Sequence, residues 1–231
     1  MLKNTIVALD QLSIDEIKAL LPKLHEFEYF KLGLELFNAH GREYIANFAK
    51  EYDKKIFLDL KLHDIPKTVF QSIKSLEGLP IEFLTIHLSG GREMIKAAME
   101  AKSKYLPHSN ILGVSYLTSL GTADFKELYG IDEADINTHF KRLFRLGASC
   151  QIDGLISSPH ELSIIKEIET ECNYDFIKIT PGIRFSSNSL DDQKRVMTPK
   201  EAFSHQANYI VMGRAITQAT DLNDVLEKLK S

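Results

Sequence analysis

Eight short apolar runs, each followed by a stretch of helical periodicity, predict a (β/α)8 TIM barrel. Two further observations agree. The runs are rich in Val, Ile, Leu and Phe with little polar alternation, as parallel strands buried on both faces require. Polar and charged residues gather at the C-terminal ends of these runs, which is where barrel enzymes build their sites. A doubly wound open sheet shares the alternation and is the second candidate fold.

The elements follow in order. The first strand is predicted over 5–10 and ends on Asp10. Ser13 then caps a helix, with Glu16 three residues on completing a capping box and Ile14, Ile17, Leu21 and Leu24 forming the apolar stripe. Strand 29–33 contains Lys31 and precedes a helix over 41–52. Strand 55–61 runs into Pro66, which suits the first turn of a helix over 66–76 and holds Ile65 extended. Strand 83–88 contains His87 and leads to a helix over 92–103; strand 111–117 leads to one over 134–146. Strands 154–157, 176–180 and 209–212 are paired with helices over 160–169, 199–203 and 222–230.

The chain has 231 residues, and no Pro/Gly/Ser-rich linker divides it, so one domain over 1–231 is expected. Its net charge of −4 argues against a general nucleic-acid binder. No apolar segment approaches the roughly 20 residues of a membrane span, and the N-terminal apolar run is too short for a signal peptide. Cys150 and Cys172 have no metal or redox spacing, which fits a reducing, cytoplasmic compartment. The eight histidines form no HxxxH pair, and there is no nucleotide GxGxxG or Walker loop. His63 reads as a supporting or exposed side chain. His87 is expected to donate a structural hydrogen bond at the barrel mouth.

The chemistry concentrates in Asp59-x-Lys61-x-x-Asp64. Taking an ion out of water costs several kcal/mol, so charges on a buried strand require a reason. Strand side chains alternate, which puts Asp59 and Lys61 on one side. Asp64 falls on the turn before Pro66, so all three charges are expected to converge at the C-terminal end of one strand. Gly213 and Arg214 after the eighth run, with Arg184 after the seventh, suggest a phosphate site, because glycine admits close backbone approach and arginine offers a bidentate fork.

The run Asp59-Leu60-Lys61-Leu62-His63-Asp64-Ile65-Pro66-Lys67-Thr68-Val69 resembles the signature of the orotidine 5'-phosphate decarboxylase family, of the bacterial kind. The resemblance extends to Val7-Ala8-Leu9-Asp10, Lys31-Leu32-Gly33-Leu34-Glu35, Leu117-Thr118-Ser119, Pro181-Gly182-Ile183-Arg184, the stretch from Asp192 to Pro199, and Val211-Met212-Gly213-Arg214. It implies a (β/α)8 homodimer with active sites at the subunit interface, acting on orotidine 5'-monophosphate in the last step of UMP synthesis. No cofactor or metal is implied. By position, Lys61 would be the proton donor, with Asp59 beside the departing carboxylate. Asp64, Ile65 and Thr68 would reach the partner's site. Asp10 and Lys31 would hold the ribose and brace the charges, and Thr118 would contact the base. Pro181, Arg184, Gln193, Gly213 and Arg214 would form the phosphate end. The loop over 185–196 is expected to order when ligand binds.

Two alternatives have different signatures. A 3-keto-L-gulonate 6-phosphate decarboxylase shares the third-strand logic but uses magnesium, and Lys31 without an added carboxylate speaks against it. A non-catalytic phosphosugar-binding barrel would explain Arg184 and Arg214 but leaves Asp59, Lys61 and Asp64 without a role.

Overall fold

The computed structural model describes residues 1–185 and 197–230. Eight parallel strands close into a barrel in sequence order: β1 (Thr5–Ala8), β2 (Tyr29–Gly33), β3 (Lys55–Leu62), β4 (Ile81–His87), β5 (Asn110–Val114), β6 (Gly154–Ile156), β7 (Ile177–Thr180) and β8 (Tyr209–Met212). β8 pairs with β1 through Thr5 opposite Ile210 and Ile6 opposite Val211, which seals the ring. The barrel prediction therefore holds and the open sheet is ruled out.

Around the strands lie α1 (Ile14–Leu20), α2 (Leu34–Tyr52), α3 (Pro66–Lys74), α4 (Gly91–Tyr105), α5 (Thr122–Tyr129), α6 (Ile136–Ser149), α7 (Leu162–Cys172), α8 (Pro199–Ser204), α9 (Arg214–Thr217) and α10 (Leu222–Lys230). The Ser13–Glu16 capping box forms as expected: the Ser13 N–H donates to Glu16 Oε2 at 2.8 Å, and the Glu16 N–H donates to Ser13 Oγ at 3.3 Å. Pro66 opens α3 after an extended Ile65. Among the described residues, no helix is long and apolar enough to cross a membrane.

Some expected boundaries move. β1 ends at Ala8, so Asp10 lies on the following turn. β5 stops at Val114, and Ser115 to Ser119 belong to the loop beyond it. α2 begins at Leu34 but is kinked at Gly41, whose φ of 68° is not helical, so its second segment starts where the sequence predicts a helix and the segment before the kink is the addition. That glycine reads as a helix start in the sequence because only glycine accepts this backbone without strain. The helices α5 and α9, of 8 and 4 residues, are too short for a periodicity signal.

The pleat sorts the core into two shells. Ile6, Tyr29, Phe57, Phe83, Leu112, Ile156, Ile179 and Val211, at least one from every strand, fill the barrel interior. Their neighbours Val7, Phe30, Leu58, Leu84, Ile111, Leu155 and Ile210 point outward and pack in the shell shared with the helices. Two residues beyond the interior layer, the same parity brings Ala8, Lys31, Asp59 and Thr85 to the C-terminal mouth. One strand pair departs from simple pleating. Leu58 pairs with Leu84 and Leu62 with Ile86, so the β3 segment between them is longer than the β4 segment it faces. This bulge contains Asp59, Leu60 and Lys61, in keeping with the enrichment of bulges beside active sites.

Candidate active site

A cavity of about 440 Å³ opens at the C-terminal mouth, a size that fits a small-molecule ligand. Asp10, Lys31, Asp59, Lys61, Thr118, Pro181, Arg184, Gly213 and Arg214 all line it, so the structure brings together nine of the residues expected from sequence. Gln193 lies outside the described residues, as does the loop over 186–196.

Asp59 is the hub. It is only 8 % exposed, yet its carboxylate is fully partnered. Oδ2 accepts from the Lys61 ammonium at 2.7 Å and lies 3.3 Å from Lys31 Nζ. Oδ1 accepts the Thr85 hydroxyl at 2.9 Å. Lys31 also pairs with Asp10. The order is thus Asp10, Lys31, Asp59, Lys61, with the charge sign alternating at each step. Burial would by itself push the Asp59 carboxyl up, but the ammonium groups of Lys31 and Lys61 outweigh it and hold the carboxyl below its ordinary range. For Lys31, burial pulls the ammonium down, and the charges of Asp59 and Asp10 more than reverse this. Their neighbours in the array therefore favour the ionised forms of Asp59 and Lys31.

The local backbone shapes the array. Gly33 ends β2 beside Asp10, and a Cβ there would stand 2.1 Å from Asp10 Oδ1. The glycine is the space in which that carboxylate sits, although in sequence it reads only as the end of a strand. Lys61 has a φ of 47°, which is uncommon for a residue with a side chain and costs about 1 kcal/mol or more. The bulge turns its ammonium to Asp59, so their shared side owes as much to the bulge as to strand alternation.

Asp64 departs from the expected convergence. It is exposed, its Oδ1 accepts the Ile65 N–H at 2.7 Å, and it does not line the cavity of its own chain. The reason is the extended Ile65 backbone, which sends the chain away from the mouth before Pro66 starts α3. Ile65 is 66 % exposed and Thr68 is exposed as well, and neither lines the cavity. At the other end of the mouth, Arg184 follows β7 and Arg214 opens α9 directly after Gly213. Both arginines line the one cavity.

His87 corrects another expectation. Its ring makes no side-chain hydrogen bond among the described residues and instead packs against His63, with centroids 5.1 Å apart. Burial, then the nearby charges of His63 and Lys61, pull it down to about 4, against an opposing pull from Asp59. A buried neutral imidazole binds its proton less readily than the unfolded chain does. Between the ordinary value of 6.5 and about 4 the unfolded state therefore holds more protons, and stability falls as pH falls. For this half-buried ring the loss amounts to roughly 2 kcal/mol after solvent screening. Thermal melts of the wild type and His87→Gln across this range should diverge, with the variant losing less on acidification. Parallel curves would remove His87 from the account.

A barrel whose mouth carries a buried, alternating carboxylate–ammonium array, with two arginines lining the same cavity, has the form of a charge-stabilising barrel enzyme. The chain belongs to the orotidine 5'-phosphate decarboxylase / HUMPS family, whose model matches residues 3–229. It is 39% identical to an orotidine 5'-phosphate decarboxylase of Streptococcus thermophilus over 218 residues, covering 94% of this chain and 91% of that one. The identity to the Oenococcus oeni protein of the same name is also 39%, over 229 residues, with 98% and 97% covered. The crystal structure of the Lactobacillus acidophilus enzyme of that name superposes with a TM-score of 0.80 at 32% identity, covering 99% of this chain and 97% of that one. The activity is that of a decarboxylase of pyrimidine biosynthesis, a carboxy-lyase.

Proposed function

We propose that residues 1–231 form one catalytic unit that converts orotidine 5'-monophosphate to uridine 5'-monophosphate and carbon dioxide, with Lys61 delivering a proton to C6 of the pyrimidine. The observation that carries this reading is the Asp59 carboxylate, buried and bonded to Lys61 while Lys31 flanks it. Loss of carbon dioxide from C6 leaves an electron pair on a ring carbon with no suitable electron sink. A preorganised ammonium stabilises that charge and then transfers its proton to the carbon. Asp59 fixes the ammonium and stands beside the departing carboxylate.

The other roles follow from position. Asp10 and Lys31 hold the ribose hydroxyls, and Thr118 meets the base. Pro181, Arg184, Gln193, Gly213 and Arg214 receive the phosphate, whose binding energy orients the distant reacting carbon. Asp64, Ile65 and Thr68 serve the partner's site in a homodimer. Ile65 is 66 % exposed between Asp64 and Pro66, and its apolar side chain supports a partner-covered surface at this turn. A cytoplasmic location suits a chain with two unpaired cysteines.

The cation between Asp10 and Asp59 is the Lys31 ammonium, which favours a lysine-based array over a magnesium site at this position. Purified protein should remove the ultraviolet absorbance of orotidylate at an undiminished rate in EDTA. Strict magnesium dependence would favour the 3-keto-L-gulonate 6-phosphate decarboxylase reading, and no turnover would favour a binding protein.

A further inference from the structure

We infer that Thr85 on β4 is a positioning residue for the Asp59–Lys61 pair, acting through the bulge in β3. The inference rests on the proposed role of Lys61 and concerns how that residue is aimed. Thr85 is fully buried and carries the interior parity of β4, two residues beyond Phe83. Its hydroxyl makes two hydrogen bonds of fixed direction. It accepts the backbone N–H of Lys61 at 2.8 Å and donates to Asp59 Oδ1 at 2.9 Å. The direction is forced, because a backbone N–H only donates and an ionised carboxylate only accepts.

One hydroxyl therefore fixes both members of the pair by different means. At Lys61 it satisfies the N–H of a residue in the left-handed region, where the β3–β4 ladder is interrupted. Such a backbone persists only where its surroundings hold it. At Asp59 it occupies Oδ1, which leaves Oδ2 aimed at Lys31 and Lys61. Thr85 does not itself line the cavity, whereas Asp59 and Lys61 do, so it touches the reaction only through these two neighbours. Without the hydroxyl, the Lys61 N–H and one Asp59 oxygen lose their partner inside the barrel, and the ammonium loses its fixed aim. In sequence, Thr85 is an ordinary β-branched residue in an apolar strand, which is why no motif marks it.

Four variants separate this from packing. Thr85→Val keeps the volume and removes the hydroxyl. Thr85→Ala and Thr85→Ser both remove the methyl, and only Ser keeps the hydroxyl. Lys61→Ala is the control for the underlying reading. A misplacement of about 1 Å at a reacting group costs on the order of 100-fold, so Val and Ala should lose about that factor in kcat. KM should change by less than about threefold, since the phosphate contacts are untouched. Ser should keep kcat within about threefold of wild type. If Val does not fold, the Ser and Ala pair makes the same comparison at nearly equal cavity size. Near-normal kcat in Ala or Val, or equal losses in Ser and Ala, would overturn the inference while an inactive Lys61→Ala left the Lys61 reading standing. An active Lys61→Ala would overturn both.

Discussion

Lys61→Ala should lose at least about 10⁴-fold in turnover while remaining folded, because it removes the proposed proton donor and, with it, the positive charge proposed to face the forming carbanion. The fold should survive for a structural reason. Lys61 is 30% exposed at the side chain, and Asp59 keeps Lys31 at 3.3 Å and the Thr85 hydroxyl at 2.9 Å. The carboxylate is therefore not left as an uncompensated buried charge, which is the condition that makes breaking an ion pair severe. A melting temperature within several degrees of wild type is expected, alongside absent loss of orotidylate absorbance. Retained activity in the folded variant would end the proton-donor assignment.

Asp64→Asn should be nearly as damaging, with a loss on the order of 10²- to 10³-fold, the size expected when one preorganised charged group is removed from a transition state. This result would not follow from one chain alone. Asp64 is exposed, does not line the cavity of its own chain, and among the described residues accepts only the Ile65 N–H, a bond that an asparagine oxygen would equally accept. Folding should be unchanged, and the effect on turnover should come entirely from a neighbouring subunit. Wild-type activity in this variant would confine the site to one chain.

How much of this was legible in the sequence depended on which physical signal each residue leaves. The strands were legible because burial on both faces demands apolar runs, and the mouth of the barrel was marked by Asp10, Lys31 and Asp59. Lys61 and Asp59 stood out because charge on a buried strand is costly. Gly33 and Thr85 left no such signal. One is needed for the space beside a carboxylate from another strand and the other for a bulge in a neighbouring strand. Both are properties of strand pairing, and neither is visible within a single run of residues. Asp64 shows the opposite case: its charge was conspicuous, but its direction was set by the turn at Ile65, which carries it away from the cavity. His87 lies at the C-terminal end of β4, as the sequence predicts, but packs against the His63 ring in place of the expected hydrogen bond, and its burial favours the neutral form.

In the proposed dimer, Lys61 of one chain and Asp64 of its partner complete each site, so that two individually impaired variants hold complementary halves. Mixing Lys61→Ala with Asp64→Asn under conditions that exchange subunits tests this directly. In a two-fold dimer, equal mixing makes about half the dimers hybrids, each with one intact site, so activity should rise to about a quarter of wild type. A mixture that stays as inactive as its components, with subunit exchange verified, would contradict the shared site.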